Sequence, residues 1–318
     1  VIISKNNSNE TIYGPFNIWP QDKKQTLLIH NFNLIQEFSY NLINSIKFIP
    51  YCLHDDVMVS FSSKDGGVGA HVDSYDVFLV QAQGEKQWKI GKTDKISFKE
   101  SKNQHTNIKF IATNTIISKA GDILYIPAFT PHHGISLCDE CITYSIGFRS
   151  PRTNELQSRY LDYLLETNED NSLYEDLHID TKAKSSIPKS LHSFISSSVI
   201  IDNKKTCIND FIGMIMSEID SEIVFEKNLF DRNFFKNTSK DISLFLDIKS
   251  RAVEHNKSFF MNGEKISVSE KNINFIKEFF DNKTIIFRAD EEDEELKDLI
   301  LYLLQEGYIV TKKNNFLI

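Results

Sequence analysis

The sequence predicts an α+β chain, rich in strands through its first half and helical or mixed beyond it. Three observations carry this. Between Val57 and Phe148 short alternating or apolar runs recur (VMVSFS, DVFLVQA, KQWKIG, NIKFIA, TIISKAGDILYIP, CITYSIGF), separated by Gly, Asp, Asn and Pro; such spacing predicts a β-sandwich or barrel. At Ser150-Pro151-Arg152-Thr153 the texture changes. Pro151 suits a first helical turn, with Ser150 or Thr153 as cap, and Leu156, Tyr160, Tyr163 and Leu164 follow at helical spacing. The last hundred residues mix helices with one hairpin, SFFMNGEKISV, whose Asn262-Gly263 favours a type I′ turn.

The remaining elements follow in order. Residues 1–50 are Asn-rich, with one apolar periodic stretch, Leu34 to Ile46, that predicts a helix. Asn168 to Ser186 is polar and predicts a loop, and Leu191 to Ile200 and Asp210 to Ile219 predict helices. The acidic run Asp290 to Glu295 predicts a solvated helix start. There is no internal repeat, and 318 residues suffice for two or three domains.

Charge and composition narrow the function classes. A net charge of −8 argues against a nucleic-acid backbone as main partner and permits a basic protein partner. No apolar run reaches a membrane span. The chain opens with Val1 rather than an initiator Met, so the natural start, with any targeting signal, is expected to lie ahead of it. Of four cysteines, Cys138 and Cys141 form a lone CxxC with no second pair to complete a zinc site. Reduced cysteines in a cytoplasmic protein are expected.

Three polar side chains stand out in GGVGAHVDSYDVFLVQAQGEKQW, residues 66–88. On a strand, residues i and i+2 share a face, so His71 and Asp73 can offer a nitrogen and an oxygen to one point. A third ligand is available from GDILYIPAFTPHHG, where a strand, Asp122 to Ile126, runs into a Pro-framed turn ending at His132-His133. Only one of the adjacent histidines can join, because neighbouring strand residues face opposite ways. A 2-His-1-carboxylate set leaves coordination positions open and suits non-haem Fe(II). The commonest electron-supplying partner of such a centre is 2-oxoglutarate, whose far carboxylate needs a buried cation. Lys86 is placed for this: Gly84 marks a turn after DVFLVQA, KQWKI returns as the next strand, and Lys86 shares a face with Trp88. A hairpin lysine in water is the competing reading.

GGVGAHVDSYDVFLVQAQGEKQWKIG, then GDILYIPAFTPHHG, then YSIGFRSPRTNEL resemble the Jumonji-C ribosomal oxygenases. The likeness is to the bacterial branch that hydroxylates an arginine of large-subunit ribosomal protein sixteen, dense from Met58 to Tyr163 and visible again near FMNGEKISV and LLQEGYIV. The resemblance implies His71, Asp73 and His132 as iron ligands, since the family's turn reads Pro, His, any residue, Gly and so matches His132 rather than His133. It implies Lys86, with Ser60 beside it, as the 2-oxoglutarate anchor. Bacterial members often carry Arg there and eukaryotic relatives Lys, so this chain departs from its nearest branch; lysine keeps the charge and loses the bidentate fork. It also implies three regions: a double-stranded β-helix (jelly-roll, cupin-like) catalytic domain at 1–149, a helical dimerisation segment at 150–219 and a winged-helix-like domain at 220–318.

The expected activity is therefore Fe(II)- and 2-oxoglutarate-dependent hydroxylation of a ribosomal-protein arginine, with dioxygen as cosubstrate, by a cytoplasmic homodimer. Asp65, before Gly66-Gly67, is a candidate carboxylate for the guanidinium, and a plain turn aspartate is the competing reading. Thr206 to Ile318 carries a net charge near −6, so direct DNA binding by the winged helix is not expected. The alternatives are a Jumonji-C oxygenase acting on histidine or another residue, to which Lys86 would also be suited, and a non-catalytic cupin-like binding protein.

Overall fold

In a computed structural model of the chain, the structure describes residues 2–5, 8–11, 24–92, 108–167, 173, 189–198, 205–236, 241–288 and 291–312. The first half supplies ten strands: β1 (Ile2–Lys5), β2 (Ser8–Thr11), β3 (Gln25–Ile29), β4 (His54–Ser62), β5 (Val77–Gln83), β6 (Glu85–Lys92), β7 (Ile111–Lys119), β8 (Ile123–Ile126), β9 (His132–Ser136) and β10 (Cys141–Phe148). They form two antiparallel sheets. Seven strands run in the order β2-β1-β3-β4-β10-β5-β8, and three in the order β7-β6-β9.

From β5 onward the chain winds back and forth between these sheets, so consecutive strands need not be neighbours. The sequence places β6 beside β5, and this is corrected: β6 pairs with β7 and β9, while β5 pairs with β10 and β8. The reason is Gly84, whose φ of +73° lets the chain cross from one sheet to the other instead of folding back as a hairpin. Lys86 thereby faces the first sheet from across the interior.

Alternation along β5 serves two cores. Val77 and Leu79 point between the sheets and pack with Trp88 and Ile126. Phe78 and Val80 point outward, toward a second cluster of Ile43, Val57, Ile146 and Phe148. Ile43 comes from α1 (Glu37–Asn44), which covers the outer face. The helix predicted over Leu34 to Ile46 opens as a 3₁₀ turn at Phe32–Leu34, and α1 starts where the Gln36 side chain accepts from the Ser39 amide at 2.7 Å.

Beyond the sandwich come α2 (Thr153–Thr167), α3 (Lys189–Ser198), α4 (Lys205–Ser217) and α5 (Asn233–Lys236). Then follow β11 (Ile242–Leu246), β12 (Ala252–His255), β13 (Ser258–Met261), β14 (Glu264–Ile266), α6 (Ile273–Asn282), β15 (Thr284–Phe287), α7 (Glu294–Gln305) and β16 (Ile309–Val310). The Asn262-Gly263 turn joins β13 to β14 with both φ positive, 53° and 88°, as a type I′ turn requires. Asp293, within the acidic run, caps α7 by accepting from the Glu295 and Leu296 amides. The predicted loop at Asn168 to Ser186 lies outside the described residues, Leu173 excepted. By internal contacts the chain divides into two compact units, residues 1–150 with 223–250 and 282–318, and residues 151–222 with 251–281. No helix among the described residues is long and apolar enough to cross a membrane.

Candidate metal centre and anion pocket

A single antiparallel bridge builds the candidate metal site. His71 and His132 exchange both backbone hydrogen bonds, each at 3.0 Å. The sequence reading put His71 and Asp73 on one strand, and here it needs adjusting. His71 makes only this bridge, and Asp73 lies past it in irregular backbone, held where its carbonyl accepts from the Phe129 amide at 2.8 Å. Bridging residues stand directly opposite each other, so the two imidazoles come together, with ring centroids 4.2 Å apart.

Both rings are oriented in the same way. His71 Nδ1 meets the Gly69 carbonyl at 3.0 Å and His132 Nδ1 meets the Thr130 carbonyl at 2.9 Å. Each Nδ1–H is thus committed to a backbone oxygen, which fixes the tautomer and leaves Nε2 free as a metal ligand. The free atoms converge on one carboxylate oxygen: Asp73 Oδ2 lies 3.8 Å from His71 Nε2 and 3.6 Å from His132 Nε2. Ligand atoms of all three residues fall within 4.8 Å of one another, the one such group among the described residues. Burial, then the neighbouring His71, push the His132 imidazole down to about 4, so it is neutral near pH 7 and ready to ligate. His133, the next residue, is half-buried, and burial and then Lys89 also lower its pKa. It is not part of the cluster.

The second feature is a buried ammonium. On β6 the inward positions are Lys86 and Trp88, and on β9 they are His132, Gly134 and Ser136, by the alternation of burial. Lys86 is 5% exposed. Its Nζ reaches across the interior to Ser60 Oγ at 3.3 Å and Thr143 Oγ1 at 3.4 Å, and lies 5.0 Å from the Trp88 ring centre. These partners come from register, since Ser60 on β4 opposes Thr143 on β10, which opposes Gln81 on β5. Gln81 Oε1 accepts from Thr143 Oγ1 at 3.1 Å and from Ser118 Oγ at 3.2 Å, and Ser118 accepts from the Trp88 indole at 3.2 Å. No carboxylate pairs with Lys86 among the described residues. Burial lowers its pKa to about 8, with nearby Cys141 acting in the opposite direction.

Gly134 makes room for this pocket. A Cβ there would stand 2.6 Å from Trp88 Cζ3 and 3.0 Å from Lys86 Cε. Gly134→Ala should therefore cost about 1–3 kcal/mol in overpacking and weaken anion binding at Lys86. Thermal unfolding and a 2-oxoglutarate titration measure the two effects, and an unchanged melting temperature would argue against the tight fit.

Of the residues singled out in the sequence, His71, Asp73 and His132 come together, and Lys86 and Ser60 meet in the buried interior. Asp65 stands apart. It is exposed, in a left-handed turn at φ 61°, with its amide bonded to the Ser136 carbonyl, four residues along β9 from His132, roughly 13 Å by strand rise. Thr143, Gln81 and Ser118 were missed by the sequence reading. For Gln81 the signal was a polar residue at an inward position of an otherwise apolar strand.

Residues 41–156 match the family model of the JmjC domain. Over 159 residues, 48% of this chain and 42% of the relative, the sequence is 36% identical to the ribosomal protein uL16 3-hydroxylase of Escherichia coli K12. Over 137 residues, 42% of this chain and 34% of the relative, it is 39% identical to a probable ribosomal oxygenase of Haemophilus influenzae. The matched stretch thus spans less than half the length of either curated relative. Among solved structures, YcfD, a ribosomal oxygenase from Escherichia coli in complex with cobalt and 2-oxoglutarate, superposes with a TM-score of 0.76 at 24% identity, covering 98% of this chain and 86% of that one. Residues 41–156 therefore carry the JmjC domain, and the chain shares the overall fold of that ribosomal oxygenase, with helix and sheet mixed.

Proposed function

From the JmjC domain at residues 41–156, we propose that the chain is an Fe(II)- and 2-oxoglutarate-dependent hydroxylase acting on an arginine side chain of a large-subunit ribosomal protein. The observation that carries the reading is Lys86. A buried ammonium held, among the described residues, by hydroxyls and an indole and by no carboxylate is costly unless an anion completes it, and the far carboxylate of 2-oxoglutarate is such an anion. The donor set fits ferrous iron: two imidazoles with free Nε2 atoms and one carboxylate make the 2-His-1-carboxylate combination that leaves positions open for cosubstrates.

His71, Asp73 and His132 would hold the iron. When bound, it supplies dioxygen activation coupled to oxidative decarboxylation of 2-oxoglutarate. The chain supplies placement. Lys86, with Ser60 and Thr143 beside it, donates to the far carboxylate, and the Gln81–Ser118–Trp88 network fixes that end of the pocket. Trp88 also packs toward His132, ring centroids 6.0 Å apart, and so walls the space between the two groups against water.

A pH dependence follows from the Lys86 pKa near 8. The protonated lysine binds the anion, so affinity for 2-oxoglutarate should be flat below pH 8 with respect to this group and fall up to about tenfold per unit above it. Titrations from pH 6.5 to 9.5 check this, and an affinity that rises with pH would contradict the assignment.

The same reading extends to the rest of the chain. It makes residues 1–149 the catalytic domain, 150–219 a helical dimerisation segment, supported by the exposed Leu161 and Leu165 of α2, and 220–318 a winged-helix-like domain that does not contact DNA. A ribosomal substrate would place the reaction in the cytoplasm. The test is incubation with Fe(II), 2-oxoglutarate and arginine- or histidine-containing ribosomal-protein peptides. The expected result is one added oxygen atom on arginine with carbon dioxide release. Oxygen on histidine would move the assignment to the other branch, and no turnover of either peptide, nor of 2-oxoglutarate, would favour a binding protein.

A further inference from the structure

The CxxC at residues 138–141 has no part in the chemistry above, yet it abuts the anion pocket. Cys141 shares the inward face of β10 with Thr143 and is fully buried. Its Sγ accepts from Gln81 Nε2 at 3.2 Å, and the same amide's Oε1 accepts from Thr143, the hydroxyl beside Lys86. Cys138 is half-buried in the turn between β9 and β10. The two thiols approach the same oxygen, the Glu85 carbonyl, at 4.0 Å for Cys138 and 3.6 Å for Cys141. Glu85 is the residue before Lys86. Gly84 is part of the arrangement: a Cβ there would collide with the Cys138 sulfur and would lie 3.6 Å from Cys141 Cβ, which places the sulfur of one cysteine near the other residue.

We propose that Cys138 and Cys141 form a thiol–disulfide site, oxidised by a hydroperoxide, whose closure loosens the Lys86 anchor. Cys138, the more accessible thiol, meets the oxidant first, and the Glu85 N–H donates to its sulfur at 3.4 Å. With hydrogen peroxide, the Cys138 sulfur breaks the O–O bond and gives up its proton, leaving the sulfenic acid and one water. The Cys141 sulfur then attacks the sulfenic sulfur, the S–S bond forms, and the hydroxyl leaves as a second water. Two thiols lose two electrons and two protons, and one peroxide becomes two waters. Bonded to Cys138, the Cys141 sulfur is drawn from Gln81, and Gln81 is what aligns Thr143 and, through Ser118, Trp88. The lysine also loses a neighbour that favours its charged form.

The second half of this proposal rests on Lys86 anchoring 2-oxoglutarate, so the test has an arm that does not. The full chain is treated with hydrogen peroxide and mapped by non-reducing peptide mass spectrometry, with Cys138→Ser as control. The expected product is an intramolecular 138–141 disulfide, reversed by dithiothreitol and absent in the control. In a Trp19→Phe background, which leaves Trp88 as reporter, oxidation should shift the emission of the parent and not of Cys138→Ser. Affinity for 2-oxoglutarate should fall about tenfold, the equivalent of one lost hydrogen bond, and return on reduction. Thiols that stay reduced, sulfinic acid on Cys138 alone, or a disulfide that changes neither emission nor affinity would each overturn the proposal. Reduced protein that binds no 2-oxoglutarate would refute the function instead, with mapping and emission still deciding the disulfide site.

Discussion

Lys86→Met is expected to weaken 2-oxoglutarate binding by about 30-fold or more, while leaving the fold as stable as before or more so. The two effects have one cause. The Lys86 ammonium is buried against hydroxyls and an indole, with no carboxylate among the described residues. Replacing such a charge with an apolar side chain of similar length is neutral or stabilising, by about 1–4 kcal/mol. Methionine keeps most of the stem that packs between Gly134 and Trp88. In the complex the balance reverses, because the ligand carboxylate would face Ser60 and Thr143 without its cation. Truncating one member of a buried charge pair costs about 2–5 kcal/mol, equivalent to a loss of about one and a half to three and a half orders of magnitude in affinity. Isothermal titration and thermal unfolding of the same variant separate the effects. A variant that binds 2-oxoglutarate normally, or that unfolds far below the parent, would identify Lys86 as a structural lysine.

The clustering of His71, Asp73 and His132 was legible in the sequence because its chemistry is local. His71 and Asp73 are two residues apart, and the turn that delivers His132 is marked by its own prolines. The reason given for their convergence was only partly right: a single bridge to His132 aligns the imidazoles, rather than a strand running through both His71 and Asp73. The Lys86 pocket was half legible. Alternation with Trp88 gave its inward direction, but its partners depend on cross-strand register and on which sheet β6 joins, and neither is written in a local pattern. Thr143 and Gln81 are sixty-two positions apart and meet because β10 lies beside β5. Gly84 was read as a hairpin turn, since the same positive φ serves a hairpin and a crossing between sheets. The type I′ turn at Asn262-Gly263 was read correctly because both of its φ demands fall on the two residues themselves.

Asp73→Ala should remove the metal without removing the fold. The carboxylate is the single acceptor on which both free imidazole nitrogens converge, at 3.8 and 3.6 Å, so its loss takes away a ligand and the only negative charge of the set. Deleting an outer hydrogen-bond partner of a metal ligand already costs about 10–100-fold in affinity; losing the ligand itself should exceed about 10²-fold for Co(II) or Fe(II) and leave no turnover. The scaffold should persist, because the His71–His132 bridge and the Phe129 contact to the Asp73 carbonyl are made by backbone atoms. His132 is not expected to compensate by taking a proton, since Asp73 is a neighbour that favours its charged form; without it the ring stays neutral to still lower pH. The metal-free variant should thus unfold within about 1 kcal/mol of the metal-free parent, while Co(II) titration by absorption shows no tight site. If Asp73→Ala kept the parent's Co(II) affinity, the convergence of these three side chains would be a packing arrangement, and the oxygenase assignment would lose its centre.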